Sequence, residues 1–386
     1  MLIIGIDIRF ALKKRRGIGN YTLNLLQSLA KIDQENQYFL YTNQPDSENI
    51  LPKAANFKIR NLVPANYLLW EQLILPRQAI KDRIDILHCT ANTSPAFLKK
   101  STKLIVTIHD VMYLKDSVLL PKSNVAYQRL GRIYRSAIVS KTIRNATKVI
   151  TVSNFSKSDI LHHFPSLQTS SIITTYEAPD AAFRILDRGN ASEIIKNSFN
   201  LSGKYLLTLG GTDPRKNTKL VIRAFSKLKQ TKNINEKLVI VGIPNWKQSE
   251  FYDLVCLLQC ENDVIFTDYV TQKELVCLYN CATLFIYPSL YEGFGIPPLE
   301  SMVCGTPVIT SNTTSIPEIV GDAALQVDPN NQEELEVAVY KLLIDHSLRD
   351  NLIQRGLARA KKFSWRRMAE ETLDVYKSII ADDNNL

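Results

Sequence analysis

The chain of 386 residues is 45% hydrophobic and 22% charged, the composition of a soluble globular protein and not of a disordered or fibrous one. That length exceeds what one hydrophobic core supports, so two α/β domains of under about 200 residues each are expected. No stretch approaches the roughly 18 consecutive apolar residues of a membrane-spanning helix. Met1 leads directly into Leu2-Ile3-Ile4-Gly5-Ile6-Asp7 without a basic region, so no secretory signal and a cytoplasmic location are expected. In that compartment the six cysteines read as reduced core residues.

Short β-branched runs alternate with amphipathic stretches, the pattern of βαβ units and parallel sheets. In the first half strands are predicted at 2–9, 37–42, 57–62, 84–89, 103–110, 148–153 and 171–178, with helices near 19–31, 68–82, 124–145 and 155–163. In the second half strands are predicted at 204–210, 237–242, 264–270, 283–289, 307–312 and 323–328, with helices near 217–230, 247–260, 271–281, 296–304 and 331–361. A linker falls between Pro179 and Gly203, with 191–198 able to form a helix, and the tail from Trp365 to Ile380 is helical by its spacing of Trp365, Met368, Ala369, Leu373 and Tyr376. Residues after Ala381 read as frayed. The domains predicted are 1–182 and 183–365, with a helix at 366–381 returning to the first. Open parallel sheets bind ligands beyond the carboxyl ends of their strands, so the turns after strands and the cleft between two such sheets are where chemistry is expected.

The net charge of +9 is uneven: residues 1–180 hold 24 Lys/Arg against 13 Asp/Glu, while 181–386 hold 23 against 25. The basic half suits a polyanion or an anionic membrane face, or is simply a solvated surface. Its run of Arg129, Arg132, Arg135, Lys141, Arg144 and Lys148, interleaved with Tyr127 and Tyr134, contains no recognisable nucleic-acid module, so no nucleic-acid partner is expected.

The strongest local pattern is Tyr287-Pro288-Ser289-Leu290-Tyr291-Glu292-Gly293-Phe294-Gly295-Ile296-Pro297-Pro298-Leu299-Glu300. Its glycines allow close backbone approach to a ligand, its prolines suit a first helical turn, and N–H groups there face an anion such as phosphate. Glu292 and Glu300 bracket that turn; as plain structure they would be a capping and a surface residue. Gly210-Gly211-Thr212-Asp213-Pro214-Arg215-Lys216-Asn217 follows the next strong strand, and a forked cation beside a point cation suits a diphosphate. A basic helix start is the plainer reading, though one the helix dipole opposes. Ile108-His109-Asp110 puts an imidazole and a carboxylate at a strand end. Arg15-Arg16-Gly17-Ile18-Gly19 opens a helix but fails as a dinucleotide fingerprint because Thr22 stands at the third glycine position. Cys256, Cys260, Cys277 and Cys281 lie in two pairs one helical turn apart, a spacing of buried thiols and not of a zinc knuckle.

Together, Glu292-x7-Glu300, the preceding Tyr287-Pro288-Ser289, Arg215-Lys216-Asn217, His109-Asp110, Gly17-x-Gly19 and Thr151-Val152-Ser153 resemble family 4 retaining glycosyltransferases of the GT-B fold, over essentially the whole chain. The resemblance implies two Rossmann-like domains facing a central cleft, a nucleoside diphosphate sugar in the second and an acceptor in the first. It implies that Glu300 holds ribose, that Arg215 and Lys216 hold the diphosphate, and that Glu292 with Gly293, Phe294, Gly295 and Ile296 contacts the sugar. By the same resemblance His109 reaches the sugar; Gly17, Gly19 and Gly211 belong to the donor side, and Asp110 and Ser153 to the acceptor side. Thr174 to Asp180 departs from the pattern in lacking Asn-Gly. Trp70-Glu71-Gln72 and Pro297-Pro298 resemble bacterial surface-polysaccharide mannosyltransferases, which points to GDP-mannose, with UDP-sugars as the alternative, and to a glycan or lipid-linked acceptor; the basic first half fits such an acceptor carried at an anionic inner membrane face. With no Asp-x-Asp in the sequence, the expected chemistry needs no metal and no cofactor. A sugar-nucleotide 2-epimerase, a non-catalytic sugar-nucleotide-binding protein and a periplasmic sugar-binding protein are the rival readings.

Overall fold

A computed structural model describes residues 1–12, 17–64, 66–115 and 126–383. The chain divides into two compact units: the first takes the described residues of Met1–Lys115, Lys122–Glu177 and Ser364–Leu386, the second those of Ala178–Phe363. Arg15 and Arg16, and the side chains of Tyr127, Arg129, Arg132 and Arg135, lie outside the described residues.

The first unit is built on β1 (Ile3–Asp7), β2 (Gln37–Thr42), β3 (Phe57–Asn61), β4 (Ile86–Cys89), β5 (Lys103–Ile108), β6 (Lys148–Thr151) and β7 (Ile172–Thr174). They form a wholly parallel sheet in the order β3-β2-β1-β4-β5-β6-β7. The second unit holds β8 (Tyr205–Leu209), β9 (Lys237–Val241), β10 (Val264–Thr267), β11 (Leu284–Tyr287), β12 (Val308–Ser311) and β13 (Leu325–Val327), parallel in the order β10-β9-β8-β11-β12-β13. Strands such as Leu284-Phe285-Ile286-Tyr287 are buried throughout, as expected where helices cover both faces of a parallel sheet. In each unit the order reverses beside the first strand, at β1/β4 and at β8/β11, which opens a crevice beyond the carboxyl ends.

The C-terminal helix Trp365–Asp383 belongs to the first unit and packs on the Gly17–Ile32 helix. Its Tyr376 hydroxyl lies 2.6 Å from His88 Nδ1 in β4. Burial pushes the His88 imidazole down to about 3, so this bond joins two neutral groups.

The helices differ from the sequence reading in several places: the helix Ile316–Val320 is not predicted, and the span at 247–260 is a 3-10 turn, Trp246–Gln248, followed by Glu250–Leu257 capped by Ser249. The span predicted at 331–361 is two helices, Gln332–Ile344 and His346–Ala360, because Asp345 turns out of the first and caps the second through Leu348 N–H at 2.9 Å. The span at 68–82 contains a π turn over Trp70–Ile74 between Tyr67–Leu69 and Leu75–Lys81. In the predicted linker, Arg188–Phe199 is a full helix capped by Asp187.

Candidate active site

In the second unit the β8/β11 crevice collects the loops that follow those two strands. Gly210 sits where a Cβ would come within 2.7 Å of Ile240, so the chain leaves β8 pressed against β9. Pro214–Lys216 forms a single 3-10 turn capped by Asp213, and Asn217, at φ 55°, separates it from the helix Thr218–Lys232. Arg215 and Lys216 therefore precede that helix in a turn of their own, and their charges are met by Asp213 and Glu292. Asn217 Nδ2 donates to the carbonyls of Pro288 at 3.1 Å and Pro329 at 2.6 Å. Leu290 N–H donates to the Arg215 carbonyl at 2.8 Å, and the Ser289 hydroxyl oxygen lies 2.9 Å from the same carbonyl. The loops after β8, β11 and β13 are thereby fixed to one another.

After β11 the chain makes a tight loop and enters the helix Ile296–Val303, with proline in its first turn and Gly295 as N-cap. Gly295 has φ 106°, and a Cβ there would meet Ile316 at 2.5 Å; both the dihedral and the contact require glycine. No side chain caps this helix among the described residues, which leaves its N-terminal end suited to an anion. Gly211 lies beside the Lys216 stem, 3.5 Å from where its Cβ would stand.

Lys216 Nζ donates to Glu292 Oε1 at 3.0 Å and to the Tyr287 hydroxyl. Tyr287 in turn donates to the same Oε1 at 2.6 Å, and the Ser289 hydroxyl lies 2.8 Å from it. All three donors converge on Oε1, leaving Oε2 for other company. Burial alone would raise the Glu292 carboxyl, but Lys216 and Arg215 beside it, with the Tyr287 hydrogen bond, hold it below the usual carboxylate range. Glu300 behaves oppositely. Burial raises it to about 7, against the Tyr279 hydroxyl hydrogen bond at 3.2 Å and with Asp180 adding repulsion. Two carboxylates eight positions apart are thus held in different protonation regimes by their surroundings.

Several participants were not singled out by the sequence. Asp213 grips Arg215 in a two-pronged pair, Nε to Oδ2 at 2.9 Å and Nη2 to Oδ2 at 2.5 Å. Thr314 Oγ1 accepts the Glu292 N–H at 3.2 Å, and the Ser315 hydroxyl lies 2.9 and 2.8 Å from the carbonyls of Glu292 and Phe294. Thr314 holds φ 59°, an unfavourable conformation for a β-branched residue. The Asp-Pro turn signalled Asp213; nothing local signalled Thr314 and Ser315, which act across the sheet.

The first unit holds the other residues picked from sequence. His109, 8% exposed, lies just beyond β5: its N–H donates to Asn92 Oδ1 at 2.7 Å, Nδ1 is 3.2 Å from Glu177 Oε1, and Nε2 is 3.0 Å from the Thr90 carbonyl. A carbonyl only accepts, so Nε2 carries a proton. The Tyr21 ring meets the imidazole edge-on at 4.8 Å. Asp110 accepts the Met112 N–H at 3.1 Å. Ser153 caps the Asn154–His163 helix through the Ser156 N–H at 3.0 Å and is fully buried. Gly17 and Gly19 lie in the first turn of the Gly17–Ile32 helix, and a Cβ at Gly17 would meet nothing within 4 Å. A second cluster follows β1: Arg9 is bound by Asp7 at 2.7 Å and Glu71 at 2.7 Å and lies over the rings of Trp70 and Tyr67.

Two Rossmann-like parallel sheets, the second with a cationic crevice beside an uncapped helix start, are the GT-B architecture. Residues 190–359 match the family described as Glycosyl transferases group 1, and residues 15–173 match Glycosyltransferase Family 4. The O-antigen chain mannosyltransferase B of Escherichia coli is 31% identical over 94% of this chain and 96% of its own. The O-antigen chain mannosyltransferase RfbU of Salmonella typhimurium is 28% identical over 73% of this chain and 71% of its own. Among solved structures, a sucrose-phosphate synthase of Thermosynechococcus elongatus superposes with a TM-score of 0.75 at 19% identity, covering 99% of this chain and 100% of that one. The chain belongs to glycosyltransferase family 4.

Proposed function

We propose that this glycosyltransferase is a retaining, metal-independent hexosyltransferase that moves mannose from GDP-mannose to a hydroxyl of a glycan or lipid-linked oligosaccharide in surface polysaccharide synthesis. The observation that carries the reading is the Lys216–Glu292 pair, set beside the helix beginning at Ile296 where the β8/β11 order reverses. The names of the two O-antigen mannosyltransferases above support mannose and the polysaccharide setting.

In this reading the diphosphate lies against Lys216, Arg215 and the Gly293–Ile296 backbone, with Gly211 leaving room beside it. Arg215, 16% exposed and held by Asp213, turns one N–H edge to phosphate. Glu300 accepts the ribose hydroxyls, and Glu292 Oε2 accepts a hydroxyl of the sugar. Cleavage of the anomeric C–O bond leaves both electrons on the diphosphate, where fixed cations and helix N–H groups stabilise the growing charge without a metal. The acceptor hydroxyl attacks the same face, forms the new C–O bond and passes its proton to the departing phosphate oxygen. The acceptor side is proposed at the carboxyl edge of the first sheet, with Asp110 and Ser153, while His109 keeps its role toward the sugar.

A thermal-shift panel of GDP, UDP, ADP, GDP-mannose and UDP-glucose, with and without magnesium, tests the donor. GDP and GDP-mannose are expected to stabilise selectively, by about 2.7 kcal/mol at a hundredfold excess over Kd, with no dependence on magnesium and a smaller shift in Arg215→Ala. No shift with any nucleotide at millimolar concentration sinks the proposal.

A further inference from the structure

The helix that runs from Tyr67 to Lys81 through its π turn is amphipathic in an unusual sense. Trp70, Glu71, Leu75, Pro76 and Ala79 are buried in the first unit, while Leu69, Leu73, Arg77 and Ile80, at intervals of four, four and three, are exposed. On a surface helix that outward stripe is ordinarily polar. Here it holds three large apolar side chains, and Val63 and Leu68 extend the apolar exposure at its N-terminal end; the five are 44 to 74% exposed. Scattered exposed leucines mean nothing, but a stripe of them on one helix marks a surface that meets something apolar.

The charges around the stripe say what. Between Phe57 and Lys81 and on to Arg83, the cations are Lys58, Arg60, Arg77, Lys81 and Arg83, and the acids are Glu71 and Asp82. Glu71 is fully buried and bound to Arg9, Thr93 and Tyr134. Asp82 is 7% exposed and takes hydrogen bonds from Arg60, Tyr41 and Gln78. Both negative charges are thus turned inward and neutralised, Glu71 by Arg9 and Asp82 by Arg60, and what this face shows to solvent is apolar side chains and the basic ends of Lys58, Arg77, Lys81 and Arg83. A protein partner of mixed polarity would find no acid here to pair with. An interface of anionic headgroups over acyl chains matches both features, because leucines enter the acyl boundary while lysine and arginine stems reach back to phosphate.

We infer that the 63–83 face of the first unit is a docking surface for an anionic lipid bilayer. It rests on the functional reading only for its purpose, which is to bring the enzyme to a lipid-linked acceptor. No helix among the described residues is long and apolar enough to cross a membrane, and docking of this kind needs none.

Flotation of the full chain with vesicles of phosphatidylcholine alone, or with about one third phosphatidylglycerol, tests it. Wild type is expected to float with the anionic vesicles, to stay down with neutral ones and to dissociate as salt rises through the range in which the Debye length falls below about 8 Å. The triple variant Leu69→Ser, Leu73→Ser, Ile80→Ser and the double variant Arg77→Glu, Lys81→Glu should each lose at least about tenfold in vesicle affinity. Because these side chains are exposed, the variants should fold and keep the wild-type response to nucleoside diphosphates. Leu257→Ser with Val337→Ser, more exposed still and in the second unit, should float as wild type does. Wild type that does not float, variants that float undiminished, or variants that lose only self-association in sedimentation velocity would each overturn the assignment. Loss of the nucleotide response in wild type would instead remove the functional reading and leave the docking result standing.

Discussion

Each sheet places a cation–carboxylate cluster just beyond its first strand, and the two clusters have opposite fates. After β1, Arg9 is 1% exposed and locked between Asp7 and Glu71; its Nη1 is buried without a partner among the described residues. After β8, Lys216 is 25% and Arg215 16% exposed, facing Glu292 and Asp213 of comparable exposure. The parallel strand order around the two crevices is the same, so the difference lies in what covers the crevice. Over Arg9 lie Trp70, Tyr67 and the helix they belong to; beside Lys216 there is an uncapped helix start and a glycine. A sealed cluster holds a fold together, whereas an open one keeps its charges available to a ligand.

The largest effect that could break this contrast is in stability. Arg9→Met leaves Asp7 and Glu71 buried with no counter-charge, and should destabilise the first unit by about 3–5 kcal/mol, read as an earlier urea midpoint by Trp fluorescence. If it melts like wild type, the sealed cluster is not structural. Lys216→Ala should do the converse. Its kcat is expected to fall by about a hundred- to a thousandfold, the scale of removing one preorganised charge stabiliser, with a smaller shift in the urea midpoint than Arg9→Met produces. Equal loss of stability in the two variants would erase the distinction.

Thr314 sharpens the contrast within the open cluster, since it acts on Glu292 only through its backbone. Thr314→Val removes one acceptor and should lower kcat about tenfold with little change in KM, while Thr314→Ser restores it; a variant that merely unfolds would not be rescued in this way.

The smallest effect is pH dependence. Glu300 is raised to about 7, so the free site is increasingly protonated below that value, and ribose hydroxyls need the carboxylate as acceptor. Nucleotide affinity should therefore fall as pH drops from 7 to 6, by at most about tenfold, one pKa unit being 1.36 kcal/mol. Titration calorimetry at the two pH values checks it, and Glu300→Gln should flatten the dependence. By linkage the same raised carboxyl favours the folded state at low pH, and that contribution declines as pH climbs from the ordinary glutamate range toward 7.

What could be read from the chain itself was whatever is local. Strand runs such as Leu284–Tyr287, the Gly-rich turns, the prolines of Ile296–Val303 and the cations of Pro214–Lys216 are set by neighbours a few residues away, so fold class and the two loops of the crevice were legible from period and turn chemistry. The contacts that give those loops their properties were not. Glu71 reaches Arg9 across 62 positions, Tyr376 reaches His88 across 288, and Thr314 reaches Glu292 across 22. The run from Leu68 to Leu75 is apolar on nearly every side, and only packing settled which leucines entered the core and which were left outside. Period assigns a residue to a face of its own helix or strand, but which way that face turns is decided by topology, because burial is a property of the neighbours the fold brings in.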